Sequence, residues 1–444
     1  MSKVYKWLDE RYGLAPAMEF IQHKEVPVGA HSMFWYYLGG LTLFFFTVQI
    51  ATGALLLVYY QVGEATSYES IRFITTKVPF GWLVRSIHCW SAHLMILSLV
   101  MHMLSTMFLK AYRAPRELTW ITGFALFAVA LGFGFSGYLL PWNELAFFAT
   151  AVGTDSVKAV PGIGEWLMQV MRGGMDVSGN TLYRFFALHV VILPLTIFLV
   201  VGVHLILIQV QGMAKPVGHV APRGMKFFPD FALRDGLFWL VCLMLLGSLA
   251  VFLPYGPHVP GIEWELGHKA NPLAPAYPGI KPEWYFLWVY QLLKEFPPHL
   301  FGIEGPQGAV AMVSVLMGVW ALVPWIDRRS RKDLPSPEFT DLGVAALFFI
   351  GFLTLKAWDI GGEQSAKVCS YWLLAIGLSV TAFRYAMLKQ TWFVFSAATL
   401  VHAALHGIFG MSYLAAGSIC FVAAMVGAVV LRPKATATLA GGHS

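Results

Sequence analysis

WLVRSIHCWSAHLMILSLVMHMLSTMFL, residues 82–109, decides the reading of this chain. About 20 consecutive apolar residues suffice to cross the hydrocarbon of a bilayer as a helix. This stretch is longer than that, and it carries His88, His93 and His102. A second stretch, RFFALHVVILPLTIFLVVGVHLILIQV, residues 184–210, carries His189 and His204. Ionisable side chains inside a membrane cost free energy and face the interior of a bundle, where they mark function. Their spacing carries more information than their number. His88 and His102 are 14 positions apart, His189 and His204 15. At about 100° per residue these intervals return to nearly the same helix face, off by roughly 40° and 60°. At about 1.5 Å rise per residue, the members of each pair lie about 21–22 Å apart along their helix.

Both stretches are even-numbered spans, so they run parallel. His88 then lies level with His189, and His102 with His204. The expected result is two stacked bis-histidine sites, one near each membrane face. Two axial imidazoles complete the coordination of a haem iron and leave no open position, which suits electron transfer rather than oxygen chemistry. His93 follows His88 by five residues, about 140° around the wheel, and is read as non-ligating.

The rest of the chain agrees with a membrane bundle. Of its 444 residues, 57% are hydrophobic and only 12% charged, against about 25% charged in soluble domains. The expected fold is all-α, a polytopic bundle of about ten spans with a four-helix haem-binding core. The spans fall near residues 33–60, 82–109, 118–140, 184–210, 236–254, 308–326, 341–357, 368–386, 391–410 and 413–431. Residues 3–23 have no uninterrupted apolar run of the signal-peptide kind. Lys6, Asp9, Glu10 and Arg11 alternate there with Tyr5, Trp7, Leu8 and Tyr12, as in an amphipathic helix lying on the membrane surface. The net charge of +6 is no nucleic-acid signal, because its basic residues sit in short loops between spans. Cys89, Cys242, Cys369 and Cys420 are widely spaced and form no CxxC or CxxCH, so neither a disulfide framework nor a c-type haem attachment is expected.

The loops alternate in charge. Lys110, Arg113 and Arg116 lie in one, Lys215, Arg223, Lys226 and Arg234 in another, and Arg328, Arg329, Arg331 and Lys332 in a third. Between them, residues 141–182 hold four acids against two bases, and residues 255–307 include Glu263, Glu265, Glu283, Glu295 and Glu304. The positive-inside rule places both termini in the cytoplasm, and the two long loops outside. That suits an integral protein of a bacterial inner membrane. Loops of this length are often functional.

Glycines repeat the histidine interval. Gly39 and Gly53 are 14 apart on the first span, and Gly123 and Gly137 are 14 apart on the third. A missing Cβ admits a flat ring or a neighbouring helix. Arg85 and Arg184 stand shortly before His88 and His189 at the outer helix ends, placed to pair with haem propionates.

With these residues in hand, the chain resembles the cytochrome b family over about residues 1–385. FGWLVRSIHCWSAH (80–93), GYLLPWNELAFFATA (137–151) and RFFALHVVILP (184–194) resemble family segments, and KPEWYFLWVYQLLK (281–294) contains the PEWY motif. The 15-residue ligand interval, KVYKWLDERYGL and KAYRAPRELTW resemble cytochrome b6, yet here the b6-like and subunit IV-like parts form one chain. Tyr37 stands where b6 has the cysteine that anchors an extra haem, and Gln209 where b6 has an arginine. The division expected is a surface segment 1–32, a di-haem part 33–215, a subunit IV-like part 216–390, and an added two-helix extension 391–444 containing His402 and His406.

The resemblance implies two non-covalent haems b on His88/His189 and His102/His204. It implies quinol oxidation at the outer face and quinone reduction at the inner face. It also implies a Rieske iron–sulfur protein and a c-type cytochrome as partners, in a complex expected to be dimeric and surrounded by lipid. Quinol oxidation needs a proton acceptor within reach of the ring hydroxyl. Glu283, flanked by Pro282, Trp284 and Tyr285, is that candidate, because an apolar setting favours uptake of a proton, and Tyr285 offers a second hydroxyl. Two other classes stay open at this point. A haem-bearing anchor that relays electrons to a peripheral enzyme would need the histidines but not PEWY or the long loops. A ten-helix transporter would show broken helices and inverted repeats.

Overall fold

The computed structural model describes residues 3–16, 19, 24–27, 34–215, 224–254, 266–276, 280–300, 302–328 and 337–358. It divides into two compact units, Met1–Lys281 with Val315–Ser336, and Pro282–Ser314 with Pro337–Ser444. The expected spans at 368–386, 391–410 and 413–431, with His402 and His406, lie outside the described residues.

Among the described residues, five helices of the first unit are long and apolar enough to cross a membrane: Phe34–Leu57, Gly81–Phe108, Glu117–Leu139, Gly179–Gln211 and Phe227–Phe252. Helices satisfy every backbone group internally, which is what a solvent without water demands. Their outer faces are apolar and uncovered; Leu199 is 71% and Phe252 80% exposed. Burying such side chains is worth about 1.5–3 kcal/mol each, so faces like these suit lipid or apolar partner helices rather than water.

Polar contacts fix the helices against one another. Thr42 Oγ1 donates to Ser98 Oγ (3.1 Å) between the first and second spans. Gln49 Nε2 donates to the His88 carbonyl and to Ser91 Oγ, both at 2.5 Å. Ser86 Oγ and Trp90 Nε1 donate to the Ala250 and Leu253 carbonyls (3.0 and 2.7 Å), which fastens the fifth span to the second. The fourth span packs along the third.

The loop between the third and fourth spans folds into two helices, Glu144–Lys158 and Gly164–Arg172. Asn143 caps the first, its Oδ1 accepting from the Ala146 N–H at 2.9 Å. Arg172 is buried between them. Its guanidinium donates to Thr154 Oγ1, the Met175 carbonyl and the Ala151 carbonyl, each at 2.7 Å, and pairs with Asp155 at 2.9 Å. Residues 266–270 lie against this loop: Asn143 Nδ2 donates to the Leu266 carbonyl (2.8 Å) and the Glu144 N–H to that of His268 (2.8 Å).

At the opposite end, Glu25–Pro27 pairs antiparallel with Gly224–Lys226, covering a small core of Val26, Tyr37 and Phe231. The expected surface helix is short, Lys3–Tyr12, with no buried residue. Buried Asp327 accepts from Tyr112 Oη (2.7 Å) and lies 4.0 Å from Lys110 Nζ, which joins the loop after the second span to the end of the apolar helix Gly305–Ala321 and its continuation.

In the second unit, the turn Trp284–Phe286 leads into Leu287–Glu295, which packs on Pro337–Trp358. Lys356 pairs with Glu295 there, and both side chains are largely buried.

Candidate functional site

The four histidines of the spacing argument meet in pairs. His88 lies close enough to interact electrostatically with His189 and Arg85, and His102 with His204. His93 instead stands edge-on to Trp90 (6.1 Å between ring centres).

Each of the four glycines abuts one of the four rings. A Cβ at Gly39 would lie 3.1 Å from His102 Cε1, at Gly53 3.4 Å from His88 Cε1, at Gly123 3.3 Å from His204 Cε1, and at Gly137 2.6 Å from His189 Cε1. The first span thus backs the two histidines of the second, and the third backs those of the fourth. All four histidines are partly buried.

The 15-residue interval has a structural cause. Leu188–Ile192, which contains His189, forms one π turn ahead of Pro194. Pro194 has no N–H to give the carbonyl four residues back, and a π turn takes up one extra residue. Fifteen residues therefore subtend nearly the angle that fourteen do in the second span, and the two histidine pairs stay in register.

Hydroxyl groups hold three of the four rings. Thr52 Oγ1 lies 2.8 Å from His88 Nδ1, Thr122 Oγ1 2.9 Å from His204 Nδ1, and Ser136 Oγ 3.2 Å from His189 Nδ1. Each hydroxyl spends its own proton on a carbonyl four residues back, Val48 (2.7 Å), Leu118 (3.0 Å) and Gly132 (2.7 Å). It can then only accept from Nδ1–H. A ring that donates from Nδ1 in this way leaves Nε2 without the proton. The backbone of Phe133 and Thr119 offers His189 and His204 a further acceptor. Among the described residues, His102 Nδ1 has no partner. These hydroxyls were not among the residues singled out from the sequence. Their signal is nevertheless there: Thr52-Gly53, Thr122-Gly123 and Ser136-Gly137 are hydroxyl–glycine doublets, and the fourth doublet is Leu38-Gly39.

The remaining candidates are placed as follows. Arg85 is half-buried beside the His88 end. Arg184 is exposed, and its guanidinium donates to the Val170 carbonyl. Glu283 is buried immediately before the turn Trp284–Phe286, and its carbonyl accepts from the Phe286 N–H (2.8 Å). Tyr285 stands edge-on to Trp284 and Phe286 (5.5 and 4.9 Å). Two further features lie at the His102 end. Lys24 Nζ donates to Gln209 Oε1, so a cation stands beside the position where b6 has arginine, and burial holds the lysine's pKa below its ordinary value. The Asp235 carboxylate packs against Gly40, where a Cβ would come within 2.6 Å of either oxygen.

Helices this apolar, enclosing two stacked histidine pairs each backed by glycines, define a membrane-embedded electron carrier. Comparison with known proteins gives it a family. Residues 23–212 match the family described as Cytochrome b/b6/petB, and residues 269–383 match Cytochrome b(C-terminal)/b6/petD. The chain is 50% identical over 365 residues, 81% of each protein, to a cytochrome bc complex cytochrome b subunit of Chlorobaculum thiosulfatiphilum. It is 40% identical over 217 residues to cytochrome b6 of Synechococcus sp. (strain JA-3-3Ab), covering 49% of this chain and all of that one. A solved structure titled hyperthermophilic respiratory Complex III superposes with a TM-score of 0.69 at 26% identity, over 85% of this chain and 98% of that one. The chain belongs to the cytochrome b/b6 family, in the fused form that joins the b6-like and subunit IV-like parts, and is an integral membrane protein. Relatives of this chain include the cytochrome b subunit of a bc complex and a chain of a respiratory Complex III.

Proposed function

We propose that this chain is the cytochrome b subunit of a bc-type complex, oxidising quinol at the outer face and passing electrons through two non-covalent haems b to a quinone site at the inner face. The observation that carries this reading is the fourfold glycine–histidine contact, Gly53 with His88, Gly137 with His189, Gly39 with His102 and Gly123 with His204. The residues fit the group: rings backed by glycine leave room for a planar macrocycle, and hydroxyls on Nδ1 present Nε2 for ligation. His88 and His189 would hold the outer haem, and His102 and His204 the inner. Haem b, when bound, would supply a reversible one-electron carrier.

The chain's own residues do the rest. Arg85, beside the His88 pair, offers a guanidinium to a propionate carboxylate, and Arg184 serves the same end of the bundle from the fourth span. Glu283 accepts a proton from the quinol hydroxyl, with Tyr285 as a second hydrogen-bonding group. At the inner end, the Asp235 carboxylate and the Lys24–Gln209 pair supply groups able to hydrogen-bond a quinone and deliver protons. Both termini lie in the cytoplasm of a bacterial cell, by the loop charges. A Rieske protein and a c-type cytochrome are its partners in a dimeric assembly in this reading; the relatives named for a bc complex and Complex III support the presence of partner subunits.

Redox-resolved absorption spectra of the purified complex, with quinol:cytochrome c reductase assays, test this. Two b-type components with low-spin, bis-imidazole character and quinol-dependent turnover are expected. A single component, or none, would overturn the assignment.

A further inference from the structure

The three hydroxyls on the histidine rings are distributed unevenly, and that unevenness has a chemical consequence. Thr52 is buried and accepts a hydrogen bond from His88 Nδ1 at 2.8 Å. Its own proton is committed to the Val48 carbonyl (2.7 Å), so it has no other role to play toward the ring. His189 at the same level has Ser136 Oγ at 3.2 Å and the Phe133 carbonyl as acceptors. Both ligands of the outer pair are therefore hydrogen-bonded through Nδ1. In the inner pair, His204 has Thr122 Oγ1 at 2.9 Å, but His102 Nδ1 meets no acceptor among the described residues. The position that would supply one is Leu38, which precedes Gly39 as Thr52 precedes Gly53, 14 residues on along the same helix. Leu38 is 2% exposed and carries no polar atom on its side chain.

An acceptor on the distal nitrogen makes an imidazole a stronger electron donor to the metal on its other nitrogen. A stronger donor stabilises the oxidised iron over the reduced iron and lowers the reduction potential. Hydrogen bonding around axial ligands is among the protein's levers on haem potential.

We propose that Thr52 is a positioning and tuning residue that lowers the potential of the outer haem, and that Leu38, by withholding the corresponding hydroxyl from His102, keeps the inner haem's potential higher. The downhill direction from outer to inner site is then written in part into one pair of positions on the first span, Thr52 and Leu38. This rests on the haem assignment made above.

The test is a potentiometric titration of the assembled complex, following the absorbance of each b component. Val replaces Thr with nearly the same shape and no hydroxyl, so the comparison isolates the acceptor. Thr52→Val should raise the midpoint of the outer component and leave the inner one in place. Thr52→Ser, which keeps the hydroxyl, should stay at the wild-type midpoint. Leu38→Thr should lower the inner midpoint relative to Leu38→Val. Each shift should reach up to tenfold in the oxidised-to-reduced ratio, about 59 mV for one electron. An unmoved or lowered outer midpoint in Thr52→Val would overturn the proposal. If Thr52→Val loses its haem, the Leu38 pair decides, and equal inner midpoints in Leu38→Thr and Leu38→Val overturn it. Failure of the haem reading itself looks different: the wild-type complex would lack two titrating b components.

Discussion

Gly137 lies flush against the His189 ring, so that a Cβ at this position would come within 2.6 Å of His189 Cε1. The equivalent distance from Gly53 to His88 Cε1 is 3.4 Å, an ordinary van der Waals separation. The two glycines back the two histidines of one pair, yet they have different tolerances.

That difference predicts different outcomes for the same substitution. Gly137→Ala must push the His189 ring or the third span aside, and overpacking of this kind costs about 1–3 kcal/mol. Outer-haem content should fall to a minor fraction in Gly137→Ala, while Gly53→Ala keeps it near wild type. Haem-to-protein ratios from alkaline pyridine spectra decide it; equal content in the two variants would contradict the packing.

The pairing of histidines makes a second prediction. His88→Ala and His189→Ala should each remove the same spectral component, and His102→Ala and His204→Ala the other. Loss of one common component in His88→Ala and His204→Ala would refute the pairing.

Why so much of this site can be read from the chain is a matter of periodicity. A membrane helix has one regular repeat, few polar residues and no water to hide them, so intervals of 14 or 15 between histidines translate directly into faces and heights. The interval of 15 was legible, but its cause was not: the π turn at Leu188–Ile192 depends on a proline at 194, whose effect on a helix can equally be a kink. The role of the Thr52 hydroxyl is not legible in the sequence, because serines and threonines in such helices commonly satisfy themselves on their own backbone, as Thr42 and Thr47 do here. Only the fold shows that Thr52 faces a ring as well. The length and acidity of the two long loops are plain in the sequence. The way Arg172 knits one of them together depends on contacts made by turns that carry no periodic signal.

Tyr37 bears on the mode of haem attachment. It is 1% exposed and stacks on Phe231 with 4.5 Å between ring centres. A phenol ring wedged there offers no thiol for a thioether bond. Haem staining after denaturing electrophoresis should therefore be negative for this chain, and a stained band at its 49.2 kDa would contradict the prediction.

Arg172 should be the residue on which the loop between the third and fourth spans depends. Its side chain is 4% exposed and bonded to three acceptors besides Asp155, whereas the Asp155 side chain is 51% exposed. Removing one member of a buried charge network costs about 3–5 kcal/mol, while an exposed partner contributes about 0–1 kcal/mol. Arg172→Lys cannot reach all the acceptors from one ammonium. It should lower the thermal midpoint of the complex by several degrees and speed proteolysis near residues 159–163, with Asp155→Asn close to wild type. Equal sensitivity in the two variants would mean that the exposed ion pair, not the buried hydrogen bonds, holds the loop.

Glu283 carries the proton chemistry of the outer site in this reading, and its variants separate that role from a structural one. It is buried at the head of the Trp284–Phe286 turn, so a change of size there would disturb the fold. Gln keeps the size and the hydrogen-bonding capacity but cannot take up a proton. Glu283→Gln should therefore retain both b components while slowing quinol oxidation. Loss of a general base typically costs about 10²–10⁴-fold. The effect should fall at or below the lower end of that range, because Tyr285 or water can carry part of the transfer. Glu283→Asp keeps a carboxylate one methylene shorter and should retain more activity than Gln. The pH profile discriminates further: a lost proton acceptor changes the pH dependence of turnover, whereas a merely loosened turn lowers the rate at every pH alike. Wild-type turnover and an unchanged profile in Glu283→Gln, with haem content verified, would remove Glu283 from the mechanism and leave the PEWY segment as a structural turn.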